Sequence, residues 1–220
     1  MSYIKEGIKA LQEKRYEDSV KAFTNAIEEN PNDPIGYVNF GNALAAMNDV
    51  ERAERFFQKA LTLDVKAATA YSGLANLYYN SERYVEAAKL YQKSIECGIE
   101  GADAYFMLGK SFEKDGQPKL ALPYLQRAAE LAKEDAEIRL SYGILLCQLE
   151  MFDIAKGELE YVLKLDEKNA DAHYNLGVLY AVSTKDTEKA LYHLEQAFQI
   201  QPEHEQAKFV YDMVTQRLEN

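Results

Sequence analysis

The residues of this chain best suited to nucleophilic or metal chemistry are three histidines and two cysteines, and their spacing argues against both roles. His173, His193 and His204 form no H-E-x-x-H and no other ligand spacing. Cys97 and Cys147 are far apart and form no C-x-x-C, so neither a disulfide framework nor a zinc site is implied. Cys147 has no neighbouring basic residue to lower its thiol pKa. G-x-x-x-x-G-K-[ST], G-x-G-x-x-G and G-x-S-x-G are all missing. The many carboxylates read as solvated helix faces, so no catalytic residue, metal or cofactor is expected. What remains is recognition chemistry: Asn39, Asn42 and Asn76 carry amides able to pair bidentately with a peptide backbone.

Such groups need a scaffold, and composition says which kind. With 5 Pro and 11 Gly in 220 residues, and Ala, Leu, Glu, Lys and Gln abundant, helix is favoured over sheet. A net charge of −11 repels phosphate backbones and anionic lipids, which excludes nucleic acid and membrane as main partners. The first residues carry no basic start followed by an apolar run, and no stretch approaches the ~20 apolar residues needed to span a bilayer. The expected location is the cytoplasm.

Internal repetition organises everything else. Gly7, Gly41, Ala75, Gly109, Gly143 and Gly177 follow one another at steps of 34. A second small column holds Ser19, Ala53, Ala87, Ala121, Ala155 and Ala190, its last step being 35, so one residue is inserted near Ser183 to Thr187. A third small column is Ala26, Ala60, Ser94, Ala128, Val162 and Ala197. Between them run large residues: Tyr3, Tyr37, Tyr71 and Tyr105; Phe40, Leu74, Leu108, Tyr142 and Leu176; and Phe23, Phe57, Tyr91, Leu125, Leu159 and Leu194. Small residues on paired antiparallel helices let backbones approach, and large neighbours fill the gaps around them.

These columns resemble the tetratricopeptide repeat family, most clearly from Pro34 to Ala67, where Tyr37, Phe40-Gly41, Leu44, Ala53, Phe57 and Ala60 stand in the family pattern. The resemblance implies an all-α, right-handed superhelical solenoid of six helix pairs, A then B, over residues 1–33, 34–67, 68–101, 102–135, 136–169 and 170–204, forming one domain with a capping helix at 205–220. The cap is expected to cover the last pair and turn a polar face outward. The run Gln117 to Ala128 and the overall layout are similar to the small YrrB-type repeat proteins of Gram-positive bacteria. That resemblance implies a scaffold whose partner is another protein, with tRNA-modification machinery as the implied candidate.

In this family the A helices line a concave groove. Positions 2, 5, 9 and 12 of each A helix share one face by the 3.6-residue period. The front of the expected groove is polar, with Asn39, Asn42, Ser72, Asn76, Tyr79 and the lone cation Lys110; the rear is apolar, with Phe106, Leu140, Ile144, Tyr174 and Val178. Asparagines would clamp a peptide backbone while the pockets read side chains or take a partner helix. The family's clamp for C-terminal carboxylates needs lysines and arginines where this chain has Val38, Thr69 or Asp103, and Gly73 or Met107. In the first A helix the same face is apolar, Ile4, Ile8 and Leu11: either this end carries a sticky patch or the helix is rotated to bury them, and Glu6 at an expected interior position favours rotation. His173 stands where sibling repeats have tyrosine and reads as a packing residue.

Local signals agree with this layout. Asp33-Pro34 reads as an N-cap before a first-turn proline, and Asn48 with Glu51 as a capping box opening the next helix. Pro123 falls inside a B helix, where a kink or a late helix start is expected. The sequence supports two functions: an adaptor holding a peptide or helix of a partner protein, and a self-assembling structural subunit with no peptide ligand.

Overall fold

The computed structural model describes residues 2–184 and 186–219, and among these it contains helices and turns but no strand. The chain divides into two units after Gln117. The first holds α1 (Tyr3–Gln12), α2 (Tyr16–Glu29), α3 (Pro34–Ala46), α4 (Val50–Leu63), α5 (Ala68–Asn80), α6 (Tyr84–Glu96) and α7 (Ala102–Lys114). The second holds α8 (Pro118–Leu131), α9 (Ala136–Gln148), α10 (Phe152–Leu165), α11 (Ala170–Leu179), α12 (Thr187–Ile200) and α13 (Glu205–Glu219). No helix among the described residues is long and apolar enough to cross a membrane.

Within each pair the small and large columns meet. A Cβ on Gly41 would come within 2.9 Å of the Phe57 ring, one on Gly177 within 2.6 Å of Leu194, and one on Gly143 within 3.0 Å of Leu159. Phe23, Phe57, Tyr91, Leu159 and Leu194 are fully buried by this approach. Ser19, in the second small column, donates its hydroxyl to the Gly7 carbonyl at 3.0 Å and so remains polar without being unpaired. Gly7 also faces Phe23, which fixes α1 in the family register. The expected rotation of this helix does not occur: Ile8 stays at the surface, and only Ile4 and Leu11 are half-buried.

The turns inside the pairs repeat as strictly as the core. Lys14, Asn48, Glu82, Gly116 and Glu150, each 34 residues after the last, all adopt φ between 58° and 74°. Each sits just past the end of an A helix and closes it. At the end of α9 the amide of Glu150 bonds the Cys147 carbonyl (3.0 Å) and that of Met151 bonds Leu146 (2.9 Å), the two bonds of a Schellman motif. Asn48 is therefore the left-handed residue of its turn and not a cap. The N-cap of α4 is Asp49, which accepts from the Arg52 amide at 3.3 Å. Of the five, only Gly116 is free of the Cβ penalty in this conformation. Glu150→Gly should therefore raise stability by about 1 kcal/mol, read as a higher urea midpoint at unchanged m-value; a lower midpoint would mean that the turn is not strained.

Two irregularities lie in the second unit. The extra residue of the last pair is absorbed by a π-helical turn, Tyr180–Thr184, that prolongs α11; Lys185, within the expected insertion, lies outside the described residues. Pro123 neither delays nor ends α8, which starts at Pro118 and continues to Leu131. Its ring is on the exposed face, where water can satisfy the carbonyl that loses its donor.

Candidate functional site

Counting the first residue of each A helix as position 1, positions 5 and 9 stand one turn apart on one face of the helix. In the first unit these are Val38 and Asn42 on α3, Ser72 and Asn76 on α5, and Phe106 and Lys110 on α7. Position 5 straddles core and surface. Val38 is buried, and Ser72 shares a hydrogen bond of 2.8 Å with Ser94 of α6, so its hydroxyl faces the partner helix. Phe106 is half-buried.

The asparagines differ in what they can still offer. Asn42 is exposed and makes no side-chain hydrogen bond among the described residues. Asn76 accepts from the hydroxyl of Tyr91 on α6, which orients its amide with the NH2 group unengaged. Tyr91 is fully buried, and burial pushes its phenol far above the ordinary range, so this donor keeps its proton. Asn39 donates one N–H to the Ile35 carbonyl of its own helix at 2.8 Å, leaving its oxygen and its second N–H. Of the three, Asn42 alone has its whole amide unengaged among the described residues.

Lys110 is not a free cation. It pairs with Glu113 one turn along α7 at 2.9 Å, both side chains 22% exposed. Tyr79 packs edge-on against Tyr84 with ring centroids 5.3 Å apart. Burial first, then the Tyr84 and Glu113 charges, raise its phenol pKa.

In the second unit the face is apolar. Leu140 and Ile144 on α9 and Tyr174 and Val178 on α11 are all half-buried, leaving side-chain surface for contact. Tyr174 lies against the ring of His204 at 4.7 Å. His204 is the N-cap of α13, its Nδ1 accepting from the Ala207 amide at 3.2 Å. Cys147 is a poor nucleophile, because burial pushes its thiol up to about 11.

His173 is buried, and its partner was not evident from the sequence. Its Nδ1 lies 3.0 Å from Nδ1 of His193 on α12, and its Nε2 lies 3.3 Å from the Glu167 carbonyl. A carbonyl can only accept, so Nε2 of His173 carries the proton and His193 donates between the two rings. The signal was available: position 4 of an A helix meets the same B-helix position as Tyr37 with Phe56, 6.2 Å between centroids, and as Arg139 with Glu158. No group of three or more His, Cys, Asp or Glu among the described residues is arranged to hold a metal.

Known proteins share this architecture. Three tetratricopeptide repeat models match residues 10–68, 66–134 and 148–205. The crystal structure of YrrB, described as a TPR protein with an unusual peptide-binding site, is 46% identical, with a TM-score of 0.83 over 88% of this chain and 99% of that one. YrrB of Bacillus subtilis also aligns by sequence, 51% identical over 41 residues, 19% of this chain and 20% of that protein. PilF of Pseudomonas aeruginosa shares the fold at 18% identity, with a TM-score of 0.81 over 96% of each chain. Subunit 3 of the anaphase-promoting complex of Schizosaccharomyces pombe is 23% identical over 76% of this chain and 25% of its own length. The chain spans a quarter or less of the length of the curated relatives it matches. With Gly7, Gly41, Gly143 and Gly177 each set against a large residue of the facing helix, and with these matches covering most of its length, the chain belongs to the tetratricopeptide repeat family.

Proposed function

We propose that the protein is a non-catalytic adaptor that holds a segment of a partner protein on the open faces of its A helices. The observation that carries this reading is the state of Asn42 and Asn76. They occupy the same position on successive A helices, one amide unengaged and the other held by Tyr91 with its donors unengaged. Donors fixed before binding lose little entropy when a peptide carbonyl arrives. The peptide-binding site for which YrrB is described supports the same use of the fold.

Capture from native lysate followed by mass spectrometry tests the proposal. Asn42→Ala with Asn76→Ala, and separately Leu140→Glu with Tyr174→Ala, should each weaken capture of the main partner at least ~tenfold at an unchanged melting temperature. Retention of the same partner by both variants would remove the faces from the mechanism. The captured proteins also show whether tRNA-modification machinery is the partner. Self-assembly is the second reading, favoured by Phe209 and Leu218, both more than 60% exposed. Light scattering across a wide concentration range decides it, a strict monomer eliminating that reading.

A further inference from the structure

The helix α13 packs on α12, with Tyr211 edge-on to Phe198 at 5.5 Å, but the outer face expected to be polar exposes Phe209, Met213 and Leu218. Its register shows why. Asp135 and Asn169 cap α9 and α11 by accepting from the amide at position 3, Ile138 at 3.0 Å and Ala172 at 2.9 Å. His204 caps α13 by the same bond to Ala207, and Ile138, Ala172 and Ala207 are all buried. So α13 is set as a seventh A helix, 35 residues after α11. Positions 5 and 9 of that helix are Phe209 and Met213, 66% and 40% exposed. The Tyr174–His204 contact joins the start of α13 to the same face of α11. The second unit thus carries an apolar pair on each of three A helices: Leu140 with Ile144, Tyr174 with Val178, and Phe209 with Met213.

We infer that this panel, with α13 as part of the binding surface, takes the apolar face of an amphipathic, basic-edged helix of the partner protein. The inference rests on the adaptor reading and gives it a ligand class. An extended segment must find partners for its own N–H and C=O groups when it is covered. Four of the six panel side chains have no hydrogen-bonding group at all, Met213 has only a weakly accepting thioether, and Tyr174 has only its hydroxyl. A helix satisfies its backbone internally and presents residues at i, i+3, i+4 and i+7 to an apolar surface. The first unit differs, because Asn42 and Asn76 stand at the corresponding positions. Charge sets the edge: position 2 holds exposed Glu137 on α9 and exposed Asp171 on α11, and no lysine or arginine occupies positions 2, 5, 9 or 12 of α9, α11 and α13. Lysines or arginines along one side of the ligand helix are therefore matched, and acidic ones repelled.

Random 16-residue peptide display against the full chain tests this, followed by anisotropy and circular dichroism on the most enriched peptide. Enriched sequences should show apolar residues at helical spacing with Lys or Arg on one flank, and the peptide should gain helicity on binding. Phe209→Ser with Met213→Ser, both exposed, should weaken binding roughly tenfold or more at an unchanged melting temperature. Val65→Ser, in the exposed turn between α4 and α5 and outside both faces, should leave it unaltered. Enrichment of proline-rich or alternating sequences, or binding indifferent to Phe209 and Met213, would overturn the panel while peptide capture itself stands. A dimer abolished by the Phe209/Met213 variant would assign the panel to a second copy of the chain and overturn the inference. No enrichment on any surface would take down the adaptor reading as well.

Discussion

Phe57→Ala is expected to cost ~3–5 kcal/mol of folding free energy, an amount that few single substitutions reach. The ring is fully buried and fills space that two glycines leave, Gly41 on α3 within its own pair and Gly73 on α5 of the next. A Cβ at either position would collide with it, so the ring replaces two side chains at once. Removing it opens a cavity bounded by three helices, each held by its own neighbours and unable to close the gap independently. Phe57→Leu should cost only about 1 kcal/mol, because leucine fills the equivalent place at Leu159 and Leu194. Stability in a stack of repeats is a sum of repeat and neighbour terms. The alanine variant weakens the coupling between the second and third pairs, so its urea transition should broaden as well as move to lower concentration. A loss below about 1 kcal/mol would mean that the small and large columns are not the source of repeat packing.

The 34-residue columns were legible because each reports a backbone approach that only small side chains permit, and the structure sets them against the large column as expected. Caps were half legible. Asp33 acts as the sequence indicates, but Asn48 and Asp49 are both good cap residues, and only the backbone shows that the first is left-handed. The left-handed turn position was hidden because Lys14, Glu82 and Glu150 occupy it with residues that advertise nothing of the kind. The effect of Pro123 was not legible, because tolerance depends on which face of α8 it occupies, and that follows from packing.

The candidate site divides the same way. Its positions follow from the helical period. The bonding state of each group depends on the facing B helix: Tyr91 orients Asn76, and Ser94 draws in Ser72. Lys110 reads as a free cation until Glu113, three residues on, is placed beside it. Phe209 and Met213 are hidden when the repeat register stops at residue 204, although the 35-residue step of the last pair carries it onward to both.

The pairing of His173 with His193 makes stability depend on pH in a window where carboxylates contribute little. In the unfolded chain each imidazole takes up a proton near 6.5; in the fold, burial, then the neighbouring His173 and Lys189, lower His193 to about 4. Burial also lowers His173, against the opposing bond to the Glu167 carbonyl. Tyr180 stacks on His193 with centroids 5.6 Å apart, Tyr192 meets it edge-on, and among the described residues no carboxylate forms an ion pair with the ring. Between pH 6.5 and 4 the unfolded chain therefore holds more protons than the folded one, and stability rises with pH. The contribution is complete above about pH 6.5 and is lost as the pH falls toward 4. A fully shielded ring would yield about 3 kcal/mol for such a displacement, and solvent access to the half-buried His193 reduces this to roughly 2. Glu13, Glu86 and Asp186 have lowered carboxyl pKa values, so their contributions fade at lower pH than the histidine contribution. Replacing the pair by His173→Tyr with His193→Phe, the combination found at Tyr37 and Phe56, should flatten the urea midpoint between pH 6.5 and 4.5 and leave the acid limb below it. A variant that loses stability over that interval as steeply as the parent would show that the two rings do not hold off their protons in the fold.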